Sequence, residues 1–254
     1  MRSSDSDRAV ICSHSLIAPR NLARRKKADS AAGYGTVVHR WKETGEIDGG
    51  PDGRTLEKKL LLSGTDRGIL WSEPGVHEVT FGIRLHETPF AVVYSGERSG
   101  ADAWKASWVG TDCITGTVDW LGNRDGAVWV DDLKTGHWPV DVATSMQLRS
   151  YALLPWVEAG CPMDYEVVTS ITQWEKYPLS APPVRTWCTL TGFDLLEHLD
   201  RLRWATGSDE AVIGDHCTFC DAREPHAASG WMQHYQHRAM PCCARGAAAA
   251  VLEI

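Results

Sequence analysis

Residues 114–136 read ITGTVDWLGNRDGAVWVDDLKTG, and the fold turns on how that stretch divides. With a period of two, a short apolar run ends at Asp119, a polar turn passes through Asn123, Arg124, Asp125 and Gly126, and a second run spans 127–130. It then breaks into Asp131, Asp132, Leu133 and Lys134. This is a hairpin signature. Its unusual feature is charge at the ends of strands whose other residues look buried. Leu133 separates Asp132 from Lys134, so strand alternation sends both polar side chains to one face. Asp119, on the partner strand, can reach the same face.

Two carboxylates held close repel each other, and a hard divalent cation such as Mg²⁺, which takes oxygen ligands, relieves the repulsion. Such an ion lowers the pKa of a water in its shell and clamps a phosphoryl oxygen. A neighbouring ammonium orients that water or offsets charge developing on the phosphate. Asp, strand, Asp-x-Lys is therefore a recipe for metal-assisted phosphodiester hydrolysis.

At these residues the chain resembles the PD-(D/E)XK nuclease superfamily, and in particular its RecB-like exonuclease branch. GTVDW followed by VDDLKTG is similar to that branch's G-x-x-D, turn, D-x-K-T-G pattern. Upstream, GTVVH ending at His39 resembles its G-x-x-x-H helix, and downstream Gln147 and Tyr151 resemble its Q-x-x-x-Y helix. The four motifs fall in the family's order between about residues 13 and 155. The resemblance implies that Asp119 and Asp132 hold Mg²⁺ or Mn²⁺ with help from His39 and the Leu133 carbonyl. It further implies that Lys134 positions the attacking water, and that Gln147 and Tyr151 buttress the site and touch the nucleic acid. Singly, each residue has an ordinary reading: an aspartate at a strand end caps or turns the chain, and a helical histidine packs or faces solvent. The series taken together is what points to a nuclease.

At 254 residues the chain can bury a substantial core. No run approaches the roughly 20 apolar residues that span a bilayer, so no membrane partner is expected. MRSSDSDRAVICSHS shows no extended apolar segment before a cleavage site, which leads us to expect a cytoplasmic protein. Net charge is −7, which does not advertise a nucleic-acid binder, although a nuclease needs positive potential only along its groove. Arg20, Arg24, Arg25, Lys26 and Lys27 form a local basic cluster, either a solvated helix face or a phosphate contact.

The expected class is α/β, a mixed central sheet flanked by helices, and the family implies a restriction-endonuclease-like core over residues 1–206. Residues 13–28 read as an extended segment leading into a basic helix. A second helix over 29–45 carries Gly33, Gly35 and His39, its small residues allowing close approach to the sheet. Residues 46–68, rich in Gly and Asp but with a helical LEKKLLL patch, read as a surface excursion, either a lid or a variable insertion. Strands are expected at 75–85 and 91–96, a polar loop at 97–108, a helix carrying Gln147 and Tyr151, strands at 164–174 and 184–190, and an amphipathic helix at 192–206. Glu78 reads first as an exposed strand glutamate and alternatively as a third carboxylate of the site.

Residues 207–254 form a Cys/His-rich segment expected to pack on the core. Of the 8 cysteines, Cys217, Cys220, Cys242 and Cys243 gather here, a distribution that favours metal over disulfides in a cytosolic chain. Cys217 and Cys220 with His234 and His237 suit a structural Zn²⁺ site, with Cys242 or Cys243 replacing one histidine as a variant. The family resemblance suggests a 4Fe-4S cluster instead, on Cys12, Cys217, Cys220 and Cys242, although Cys12 sits earlier than that pattern asks. The expected activity is a metal-dependent DNA nuclease, an exonuclease of recombination or repair, with DNA as substrate and a helicase or recombination protein as partner. The alternatives are a non-catalytic DNA-binding or helicase-partner module on the same core and a site-specific endonuclease.

Overall fold

The computed structural model describes residues 29–66, 74–86, 88–96, 98–108, 112–136 and 139–207. The basic cluster at 20–27 and the whole Cys/His-rich segment, with Cys12, Cys217, Cys220, His234, His237 and Cys242, lie outside the described residues. Among the described residues, five helices and six strands follow in the order α1 (Asp29–Thr44), α2 (Pro51–Ser63), β1 (Gly75–Arg84), β2 (Phe90–Val93), α3 (Arg98–Ser107), β3 (Cys113–Arg124), β4 (Ala127–Lys134), α4 (Met146–Glu158), β5 (Glu166–Gln173), β6 (Val184–Thr191) and α5 (Gly192–Gly207). This is a mixed α/β fold. The sheet runs β2-β1-β3-β4-β5-β6, antiparallel throughout except between β4 and β5. A parallel pair needs a long crossover, and α4 supplies it.

The hairpin forms, but with longer arms than its pattern suggests. β3 continues to Arg124, which pairs with Ala127, so only Asp125 and Gly126 make the turn. Both have positive φ, 51° and 80°, as a type I′ turn requires. The turn signal in Asn123 and Arg124 was therefore overridden by strand pairing.

One further expectation is corrected, and a second, the helical patch within 46–68, is extended. Residues 98–107 form a helix rather than a loop, with Ala101 buried and Trp104 stacked at 5.3–5.4 Å between Tyr94 and Trp108. The 46–68 excursion is mostly α2, which buries Leu56 and, unexpectedly, Lys59. The Lys59 ammonium donates to the carbonyls of Pro178 at 2.8 Å and Ala181 at 3.1 Å, so burial leaves its donors satisfied. Pro51 at the start of α2 and Gly64 in the left-handed region after it mark its limits.

Apolar residues cover both faces of the sheet. On one, Phe81, Ile83, Ile114, Val118, Val130, Val167 and Ile171 pack against α4 and α5. On the other, Trp120, Leu133 and Trp174 pack against Tyr34, Val37, Val38 and Trp41 of α1 and Leu56 of α2. The small residues of α1 lie close to their neighbours: a Cβ on Gly35 would stand 2.9 Å from Thr135 Oγ1, and one on Gly33 2.9 Å from Asp52 Oδ2, so a larger residue would displace those side-chain tips. Ser145 caps α4, its side chain accepting from the Leu148 amide.

Candidate active site

Val118 and Trp120 are two residues apart in β3 yet face opposite cores. Strand alternation would put both on one side, so β3 turns over at Asp119. β1 does the same beside it: Glu78 has φ +54°, and the β1–β3 register passes from His77↔Trp120 to Val79↔Val118 without pairing Glu78 with Asp119. The β3–β4 ladder likewise stops at Trp120↔Asp131. Such interruptions re-aim side chains and gather at functional sites. Here they free two carboxylates from their ladders to meet a histidine.

His39 Nδ1 lies 3.4 Å from Glu78 Oε1 and 3.8 Å from Asp119 Oδ1. One ligand atom from each of the three falls within 4.8 Å of the others. Glu78 is thus not the exposed strand residue its pattern suggests; its side chain is 15% accessible. The cause is the local backbone, which turns it inward. Asp119 Oδ2 accepts from the Leu133 amide at 2.6 Å, so Leu133 enters the site through its N–H. Asp132 is buried beside them, and Lys134 Nζ stands 2.7 Å from its Oδ2. That approach lies off a hydrogen-bonding direction, and the buried Oδ2 receives no hydrogen bond. Lys134 also donates to Gln147 Oε1 at 3.1 Å, and Gln147 Nε2 donates to the Tyr151 hydroxyl at 2.6 Å. All the core positions singled out in the sequence, 39, 119, 132, 133, 134, 147 and 151, therefore converge. Glu78 joins them, the second of its two readings from the sequence.

The electrostatics follow from this crowding. Burial pushes the Asp119 carboxyl well up, to about 8, with Asp132 and Glu78 adding to the effect; His39 and the Leu133 amide pull the other way. Burial opposes protonation of His39, but the hydrogen bond it donates to Glu78 and the charges of Asp119, Glu78 and Asp132 outweigh it and raise its pKa above the ordinary value. Beside the cluster, a groove of about 490 Å³ runs past Glu78, Thr80, Tyr94, Lys105 and Thr117.

The neighbour of Asp132 behaves differently. Asp131 is buried on the other face, where Ser170 Oγ donates to it at 2.6 Å and Thr172 Oγ1 at 2.9 Å. Of the two adjacent aspartates, one is tied into the fold and the other is presented to the cluster.

No protein-family model and no curated protein matches the chain. Among solved structures, the crystal structure of SSO0001 is similar to it over 87% of this chain and 82% of that one, at 14% identity and a TM-score of 0.41. A likeness that loose carries no argument about chemistry.

Proposed function

We propose that the chain is a Mg²⁺- or Mn²⁺-dependent deoxyribonuclease, an exonuclease of the RecB-like PD-(D/E)XK type with a restriction-endonuclease-like core. The observation that carries this reading is the joining of Asp132, Lys134, Gln147 and Tyr151 in one polar chain beside the His39, Glu78 and Asp119 cluster.

The residues present fit a divalent ion. Carboxylate-rich donor sets suit Mg²⁺ and Mn²⁺, and the buried Asp132 Oδ2, which meets the Lys134 ammonium at 2.7 Å but receives no hydrogen bond, keeps acceptor capacity for an ion. Asp119, Asp132, Glu78 and His39 are the side chains that would hold it, with the Leu133 carbonyl as an expected backbone ligand. When bound, the ion supplies positive charge at the scissile phosphate and a water of lowered pKa. Lys134 needs no rearrangement to act: Asp132 and Gln147 fix its ammonium, a proton donor preorganised for a phosphate oxygen or for orienting the water. Tyr151 holds Gln147, and Gln147 holds Lys134.

The test is purified protein with end-labelled linear DNA and closed circular DNA, in Mg²⁺, Mn²⁺ or chelator. The proposal expects cleavage of linear DNA from its ends with either ion and none with chelator. Discrete fragments from the circle would replace it with the site-specific endonuclease, and binding without cleavage under every condition would replace it with the non-catalytic module.

A further inference from the structure

We infer that the sheet face opposite α4 and α5 carries a second nucleic-acid contact, a base-stacking pocket for single-stranded DNA formed by Trp129, Trp187, Arg124 and Arg185. The choice of DNA as occupant rests on the nuclease reading; the geometry of the pocket does not.

A cavity of about 460 Å³ opens over β4, β5 and β6, lined by Arg124, Asp125, Trp129, Thr172, Pro183, Arg185 and Trp187. Its volume falls within the roughly 300–1,000 Å³ that holds a small organic ligand. Trp187 pairs with Ser170, which pairs with Asp131, so the three share a face. That face is the reverse of the one to which Asp132 points. Trp187 is 63% exposed on the edge strand β6, an indole presented to solvent rather than packed.

The cations are held in place. The Arg124 guanidinium lies 5.1 Å from the Trp129 ring centroid. Arg185 Nε donates to Thr172 Oγ1 at 3.1 Å and its Nη2 lies 3.6 Å from Asp131, which is 1% exposed and fixed by the Ser170 and Thr172 hydroxyls. Asp131 is thereby the buried brace of one arginine. Exposed Asp125 is the acidic group in the lining, 3.7 Å from Arg124 and at the rim of the hairpin turn.

Two indoles and two guanidiniums around one cavity match what each nucleotide offers: a π-face of any base and a single phosphate charge. Stacking of this kind tolerates any sequence, as an enzyme moving along a strand requires. Phosphate alone would need no indole, and a purely apolar partner would need neither arginine.

The experiment is fluorescence anisotropy of a labelled oligothymidylate with the full chain in chelator, so that affinity is read without cleavage. Trp187→Ala should weaken binding about 5- to 150-fold, the range for truncating a stacked aromatic partner, and Trp187→Phe should retain most of the affinity. Arg124→Gln should weaken binding and flatten its salt dependence. Unchanged melting temperatures verify folding of these surface variants. Trp187→Ala binding the oligonucleotide like the unaltered protein overturns the inference, as does an equal loss of heparin affinity, which lacks bases. Failure of the nuclease reading would show separately, as wild-type protein that binds but never cuts in Mg²⁺ or Mn²⁺.

Discussion

Glu78 stands opposite Asp119 where the β1–β3 ladder skips a pair, and its carboxylate lies 3.4 Å from His39 Nδ1. The contact makes the histidine a reporter on the glutamate. Because the Glu78 hydrogen bond and charge help raise the His39 pKa, Glu78→Gln should lower it, read as a move of the His39 NMR titration midpoint to lower pH in metal-free protein. The same variant should weaken Mn²⁺ binding by at least about 10- to 100-fold, the range for losing even a group that only orients a metal ligand. A His39 titration that does not move contradicts the geometry.

Asp119 makes the metal-free site unstable at neutral pH. Its folded pKa, about 8, lies above the ordinary 3.8, so the folded state holds a proton that the unfolded chain releases. Stability from this group is complete below about pH 4 and is lost as pH rises toward 8. Asp119→Asn keeps an oxygen for the Leu133 amide and removes the buried charge. Its melting temperature at pH 8 without metal should exceed that of the unaltered protein by about 2–6 °C, at ~2–4 °C per kcal/mol for a chain of this size, while cleavage is lost. Metal binding near pH 7 should also release protons, seen by calorimetry in buffers of different ionisation enthalpy.

Lys134 and Gln147 should separate by size of effect. Removing a preorganised donor costs about 10²–10³ in kcat, which is the expectation for Lys134→Ala. Gln147 acts through Lys134, so Gln147→Ala should cost less, about tenfold, mainly in kcat rather than KM. Gln147→Glu, which keeps an acceptor for the ammonium, should recover part of that loss. An equal loss in the two Gln147 variants would make the residue merely structural.

Away from the site, His198 sets an acid limit on the fold. It is buried between α4 and α5, its Nε2 2.9 Å from Ser150 Oγ, and burial, aided by Arg149 and Arg201, lowers its pKa to about 3. Its stability contribution is present above the unfolded pKa near 6.5 and is lost as pH falls toward 3. By pH 5 the loss is ~2 kcal/mol at 1.36 kcal/mol per unit. His198→Leu should flatten the melting temperature between pH 7 and pH 5; an unaltered slope would assign acid sensitivity elsewhere.

Legibility in the sequence followed the kind of signal each part carries. The hairpin, the His39 helix, the Gln147–Tyr151 helix and the strands near 166 and 184 announce themselves through periodicity or motif spacing, and the structure builds them. Glu78 did not, because alternation assumes an extended backbone and its φ of +54° breaks that assumption. The helix at 98–107 was hidden by Gly100 and a polar composition; its signal is Ala101, Trp104 and Trp108 at helical spacing. Lys59 gave no sign of burial, since the carbonyls that satisfy it, Pro178 and Ala181, lie some 120 residues away. The spacing to Lys134 singled out Asp132 in the sequence, but the role of Asp131 as a brace was not legible, because the hydroxyls that hold it, on Ser170 and Thr172, lie across the sheet.

The central claim is that Asp132 and its neighbours hold a divalent ion that cuts DNA, and it is met most directly by Asp132→Ala assayed beside the unaltered protein on linear DNA in Mn²⁺. The account predicts a fall in cleavage of at least ~10²–10³, with oligonucleotide affinity and thermal unfolding essentially retained. Cleavage by the variant at the unaltered rate, with the same dependence on the ion, would contradict it.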